Sequence, residues 1–193
     1  MHLKESDRDP SGLVVAAKQG SLPAFEQLLL WYEKPIYAFM FRFVRRREDA
    51  EDLTQEIFIK VLKSLHAYNI EKPFSPWLYT IATRTAYDWL RKKQRHPELF
   101  IIDDEQHPFE TIDETESYTL IGDRIDLEAL LGKVKPMHRM VLLLYYQKQF
   151  SYEQIAEILA VPINTVKTHL YRAKRELRML SEVQGPTTDP SSS

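Results

Sequence analysis

The chain has no cysteine, which rules out disulfide bridges, thiolate metal sites and thiol nucleophiles together and agrees with a reducing compartment. Glycine is scarce as well, with five in 193 residues and no glycine-rich phosphate loop among them. Long apolar runs are missing: the longest, Met140 to Tyr146, falls far short of the roughly 20 residues that cross a bilayer. The opening "MHLKESDRDP" lacks the apolar stretch of a signal peptide, so a soluble cytoplasmic protein is expected. The six histidines are scattered, with no ligand spacing, and no metal or cofactor is expected.

What is present is charge sorted into blocks. The net charge of -2 averages them away. Between Ser75 and His96 stand Arg84, Arg91, Lys92, Lys93 and Arg95 against Asp88 alone, and between Pro97 and Asp126 ten acids stand against Arg124. From Thr165 to Arg178 the sign reverses again, with Lys167, Arg172, Lys174, Arg175 and Arg178 against Glu176. Two basic blocks flanking an acidic one are expected where two separate surfaces meet a polyanion.

Apolar residues recur at helical spacing, as in Phe25, Leu28, Leu29, Tyr32 and Ile36, and again in Leu53, Ile57, Val61 and Leu65; no sustained alternation of period two occurs. The expectation is an all-α protein of two small helical domains. The first spans 13–96 and the second 126–180. Residues 97–125, acidic, proline-bearing and without an apolar stripe, read as a flexible linker; residues 1–12 and 181–193 read as disordered ends.

In the second domain, Ser151 followed by Gln154 is a capping box that starts a helix with the buried stripe Ile155, Ile158 and Leu159. After Pro162 a second helix opens, with Val166, Leu170, Ala173 and Leu177 facing inward. Two short helices joined by a tight turn predict a helix-turn-helix, whose second helix enters the DNA major groove. Its outward face carries Asn164, Lys167, Thr168, Tyr171, Arg172 and Arg175, with His169 at the groove margin. Lys and Arg donate to guanine edges or phosphates, while Thr and Tyr set a hydroxyl beside apolar surface. The plain alternative is a solvated basic face.

In the first domain, "REDAEDLTQEIFIKVL" sets Asp49, Asp52 and Glu56 along one helix face with Gln55 adjacent, above a core stripe. Such a face is a metal or acid-base site, a solvated surface, or a docking ridge for a basic helical partner; no histidine or nucleophile accompanies it. The stretch "KPFSPWLYTIATRTAYDWLRKKQR" is predicted to turn Leu78, Ile81, Ala82, Thr85 and Trp89 inward. Tyr79, Thr80, Thr83, Arg84, Tyr87, Arg91 and Lys92 then remain on the surface, with Phe74 and Trp77 at its start. Rings interleaved with cations are what unstacked bases require. Aromatics at helical spacing are also ordinary core, and Trp89 reads that way.

Taken in order, "AEDLTQEIF", "PFSPWLYTIATRTAYDWLRKKQR" and "SYEQIAEILAVPINTVKTHLYRAKREL" resemble the extracytoplasmic-function sigma factors of bacterial RNA polymerase over nearly the whole ordered chain. The resemblance implies a non-enzymatic initiation factor. Asp49, Asp52, Gln55 and Glu56 would dock on the beta-prime clamp helices of core polymerase, with the beta subunit a further contact. Phe74, Trp77, Thr80, Thr83, Arg84, Tyr87, Arg91 and Lys92 would melt and hold the minus-10 element as a single strand. Asn164, Lys167, Thr168, His169, Tyr171, Arg172, Lys174 and Arg175 would read the minus-35 element as duplex, and an anti-sigma factor, often membrane-anchored in the family, would hold the protein inactive. One departure is Arg84, where many members have Asn, which changes the hydrogen bonds offered to a flipped base. A helix-turn-helix activator or repressor with a sensing or dimerising first domain is the competing class. An enzyme built on the carboxylate helix ranks below both.

Overall fold

A computed structural model describes residues 9–95 and 127–183 of the protein. Every regular element among them is helical: α1 (Ser11–Lys18), α2 (Leu22–Val44), α3 (Arg47–Ser64), α4 (Phe74–Arg95), α5 (Leu127–Lys133), α6 (Pro136–Leu142), α7 (Tyr152–Leu159) and α8 (Ile163–Val183). A short 3-10 turn, Leu65–Ala67, follows α3, and a π-helical turn, Leu143–Gln147, extends α6. The predicted linker 97–125 and most of both predicted ends lie outside the described residues. Where the ends are described they are helical, since α1 begins at Ser11 and α8 continues to Val183.

The first domain is a bundle of α2, α3 and α4 with α1 packed across α2. Ser21 starts α2 by accepting a hydrogen bond from the Ala24 N–H (3.4 Å), and Pro23 sits in the first turn, where its missing donor costs little. The helix stops at Arg45, which adopts a left-handed backbone (φ 61°) and closes its N–H onto the Phe41 carbonyl at 2.7 Å. Leu28, Tyr32, Ile36, Phe39 and Phe43 of α2 are buried against Leu53, Ile57 and Val61 of α3, as their spacing predicts. Each such side chain contributes about 1.5–3 kcal/mol by leaving water.

The second domain folds α5 to α8 around Leu130, Met140, Leu143, Ile155, Val166 and Leu170. The two domains do not stand apart: one continuous apolar cluster runs through both, and α7 lies along α4. This corrects the expected surface of α4. Tyr79 and Thr83 are 0% and 1% exposed, and the Tyr79 ring is held edge-on both by Phe39 of its own bundle (5.1 Å) and by Phe150 of the second domain (5.2 Å). Spacing within a helix shows a core stripe; it cannot show a stripe covered by a domain some 60 residues further along the chain.

Candidate nucleic-acid interface

The geometry of α7 and α8 follows from three local devices. The Ser151 hydroxyl accepts from the Gln154 N–H (3.2 Å) while the Gln154 side chain accepts from the Ser151 N–H (2.9 Å), so the capping box forms on both sides. Ala160, at φ 53°, ends α7 in a left-handed turn, and the next N–H, of Val161, closes onto the Ala156 carbonyl at 3.0 Å. Pro162 then leads straight into α8, its carbonyl accepting from Thr165 and Val166.

With Val166, Leu170 and Ala173 buried, α8 turns Asn164, Lys167, Thr168, Tyr171, Arg172, Lys174 and Arg175 to solvent. The Thr168 hydroxyl donates back to the Asn164 carbonyl (2.8 Å), which leaves its lone pairs and methyl outward. Lys174 lies 5.5 Å from the centre of the Tyr146 ring, and its contact with that phenol holds its pKa above the usual lysine range. Tyr171 is 68% exposed, a large ring turned to solvent. A cationic helix face with an aromatic at its centre is suited to a groove lined by phosphates and base edges.

His169 sits apart from that face. It is half-buried on the flank, its ring 5.5 Å from that of His138 in α6, and burial first, then the charges of His138 and Arg172, lower its pKa. His138 meets Glu176 at 2.6 Å, and Glu176 also accepts from the Lys135 N–H at 3.2 Å. The sequence offers no sign of this meeting, since His138 lies 31 residues before His169. Together these contacts pin α8 to the start of α6. Among the described residues no group of side chains is arranged to hold a metal ion.

On α4 the predicted residues divide. Phe74 is 5% exposed, in an aromatic box with Tyr32 (5.3 Å), Tyr68 (5.8 Å) and Trp77 (5.5 Å); it packs rather than faces solvent. Trp77 is half-buried at the rim of the box, and the Thr80 hydroxyl donates to the Pro76 carbonyl at 2.9 Å. Thr83 is buried, and Tyr87 is mostly so, with its hydroxyl donating to the Met137 sulfur at 3.1 Å; burial raises that phenol's pKa. Arg84, Arg91 and Lys92 are exposed. Arg84 and Arg91 line an open hollow of about 450 Å³ with Asp88, which pairs with Arg91.

The carboxylate ridge on α3 is also uneven. Asp52 and Gln55 are exposed, Glu56 is ion-paired with Lys60 (2.7 Å), and Asp49 is half-buried with Oδ2 lacking a hydrogen-bond partner. Ile59 and Leu62, 53% and 49% exposed, extend the same row and were not singled out from sequence. The signal was there: two apolar residues off the core stripe, continuing from Asp52 and Gln55 at the three- and four-residue steps of one helix face.

A helix-turn-helix domain with a solvent-facing cationic helix, joined to a helical bundle that bears a second basic helix, defines an all-helical protein of the two-domain helix-turn-helix class. Residues 30–96 match the Sigma-70 region 2 family and residues 124–177 the Sigma-70, region 4 family. The chain is 34% identical to the RNA polymerase sigma factor YlaC of Bacillus subtilis (strain 168), across 80% of this chain and 90% of that one. It is 30% identical to the ECF RNA polymerase sigma factor SigW of the same organism, across 83% and 90%. Among solved structures it is similar to the sigma factor RpoE in complex with the anti-sigma factor NepR from Bartonella quintana (TM-score 0.64, 26% identity, 82% of this chain and 97% of that one). It shares its fold with CnrH in complex with the cytosolic domain of CnrY (TM-score 0.67, 20% identity, 91% and 99%). The protein belongs to the extracytoplasmic-function sigma factors of RNA polymerase, a family of non-enzymatic transcription factors.

Proposed function

We propose that the protein binds core RNA polymerase in the cytoplasm and directs it to promoters by reading two DNA elements with two domains. The domain at 13–96 docks on polymerase and opens the minus-10 element; the domain at 126–180 reads the minus-35 element as duplex; residues 97–125 link them. The observation that carries the reading is the outward face of α8, where Asn164, Lys167, Thr168, Tyr171, Arg172 and Arg175 all stay exposed while Val166, Leu170 and Ala173 pack inward. Arg84, Arg91 and Lys92 supply a second cationic surface for a strand backbone, with Trp77 beside it for stacking. On α3, Asp52, Gln55, Ile59 and Leu62 offer a mixed acidic and apolar ridge that fits a basic helical partner, the beta-prime clamp helices.

RpoE of Bartonella quintana was solved in complex with the anti-sigma factor NepR, and we extend to this chain an anti-sigma factor as a further partner. Run-off transcription with purified core polymerase and a genomic promoter library tests the function. Promoter-specific transcripts above the core-only background support it. A library without any such transcript removes it.

A further inference from the structure

Val166, Leu170 and Ala173 hold α8 on its domain by apolar contact, and the last of them brings a single methyl group to the seam. Apolar burial is non-directional, so a seam that ends in alanine fixes where the helix lies better than how it is rolled about its own axis. Roll matters on the outward face. A helix with its side chains is about 10–12 Å across, so a roll of about 20° carries a side-chain tip about 2 Å, well beyond the spread of good hydrogen-bond distances. Lys167, Thr168 and Arg172 would then leave the register of base edges while keeping their charge near phosphates.

Two polar contacts supply the missing direction. At the start of α6 the buried His138 donates its Nδ1–H to the Glu176 carboxylate at 2.6 Å, and the same carboxylate accepts from the Lys135 N–H at 3.2 Å. His169 packs its ring beside that of His138, 5.5 Å away. At the far end of α6 the π-helical turn Leu143–Gln147 carries Tyr146, and the Lys174 ammonium lies 5.5 Å from the centre of its ring. Turns of this kind occur often at functional sites. Tyr146 is itself braced, edge-on to Tyr145 at 4.9 Å, which packs on Tyr152 at the first residue of α7 at 5.2 Å. Lys174 and Glu176 stand on either side of Arg175 in the chain, about 200° apart around the helix. The two contacts therefore grip opposite flanks of α8, one from each end of α6.

Resting on the reading of this chain as a promoter-reading factor, we propose that His138 and Tyr146 are positioning residues for promoter discrimination. Acting through Glu176 and Lys174, they set the roll of α8, so that Asn164, Lys167, Thr168, Tyr171 and Arg172 meet base edges in one register. Neither needs to touch DNA. Losing a tether lowers the advantage of a correct upstream element over a wrong one, while attraction to phosphates, which follows charge alone, is kept.

Run-off transcription by core polymerase with the full chain, on templates carrying an intact or a scrambled upstream element, gives a discrimination ratio. His138→Leu is expected to lower that ratio about tenfold. His138→Asn, whose amide sets an N–H where Nδ1 stands, is expected to restore most of it. Binding of either variant to a scrambled duplex, followed by fluorescence anisotropy across a salt series, is expected to keep the parental slope. Parental discrimination in His138→Leu overturns the proposal, and so does a His138→Asn protein as impaired as His138→Leu, which assigns the side chain to packing. If His138→Leu loses its helical circular dichroism, Tyr146→Ala on the opposite flank takes its place; several-fold lower discrimination in that folded variant supports the proposal, and an unchanged ratio overturns it. A parent protein that uses both templates equally removes promoter reading itself, a separate failure.

Discussion

Phe74 offers the sharpest test of how α4 divides between packing and binding. The sequence places it beside Trp77 at the start of a cationic, ring-bearing helix, where it reads equally as a stacking surface. In the fold it is 5% exposed and edge-on to Tyr32 and Tyr68. Phe74→Ala therefore removes a buried ring and leaves a cavity, an effect of about 3–5 kcal/mol. Against a total stability of roughly 5–15 kcal/mol that is a large fraction. With a slope of about 2 kcal/mol per molar urea, the unfolding midpoint should fall by about 1.5–2.5 M, followed by far-UV circular dichroism. Trp77→Ala, at a half-buried rim position, should shift the midpoint by less than half as much and instead weaken permanganate-detected strand opening. A Phe74→Ala protein with a parental midpoint and a defective open complex would refute the packing argument and return Phe74 to the strand-binding face.

Lys167→Ala and Arg172→Ala should each weaken use of the upstream element by about 1–3 kcal/mol if they contact bases, read as run-off yield on intact against scrambled elements; equal use of both elements by the parent removes the basis. Ser151→Ala should cost about 1 kcal/mol of stability through loss of the capping box, with little effect on α4 contacts, measured by urea unfolding. His169 has a folded pKa below its unfolded value of about 6.5, so its contribution to stability is present above that pH and is lost as pH falls below it toward the folded pKa. His169→Gln should flatten the fall in thermal midpoint between pH 7 and 5; an unchanged slope assigns the acid sensitivity elsewhere. Leu62→Asp on the exposed ridge of α3 should reduce capture by core polymerase at least about tenfold while leaving the unfolding midpoint within about 0.5 kcal/mol of the parent.

The helices themselves, the capping box at Ser151 and Gln154, and the division of α8 into an apolar and a cationic face were all legible in the sequence. Each depends on residues three or four positions apart, and that distance is set by the helix alone. The three-residue row of Ile59 and Leu62 was equally local, and was passed over because apolar residues are taken as core until burial is known. The roles of Phe74, Thr83 and Tyr87 were of another kind. Whether a ring at a helix start meets solvent, its own bundle or a second domain depends on neighbours 40 to 70 residues away, which no helical period encodes. The same holds for His138 against His169 and Glu176, and for Arg139 closing α2 and α5 together. Side-chain chemistry and spacing determined which surfaces this chain is able to make; only the packing of distant segments, driven by the apolar area they jointly remove from water, decided which of those surfaces face solvent and which are buried.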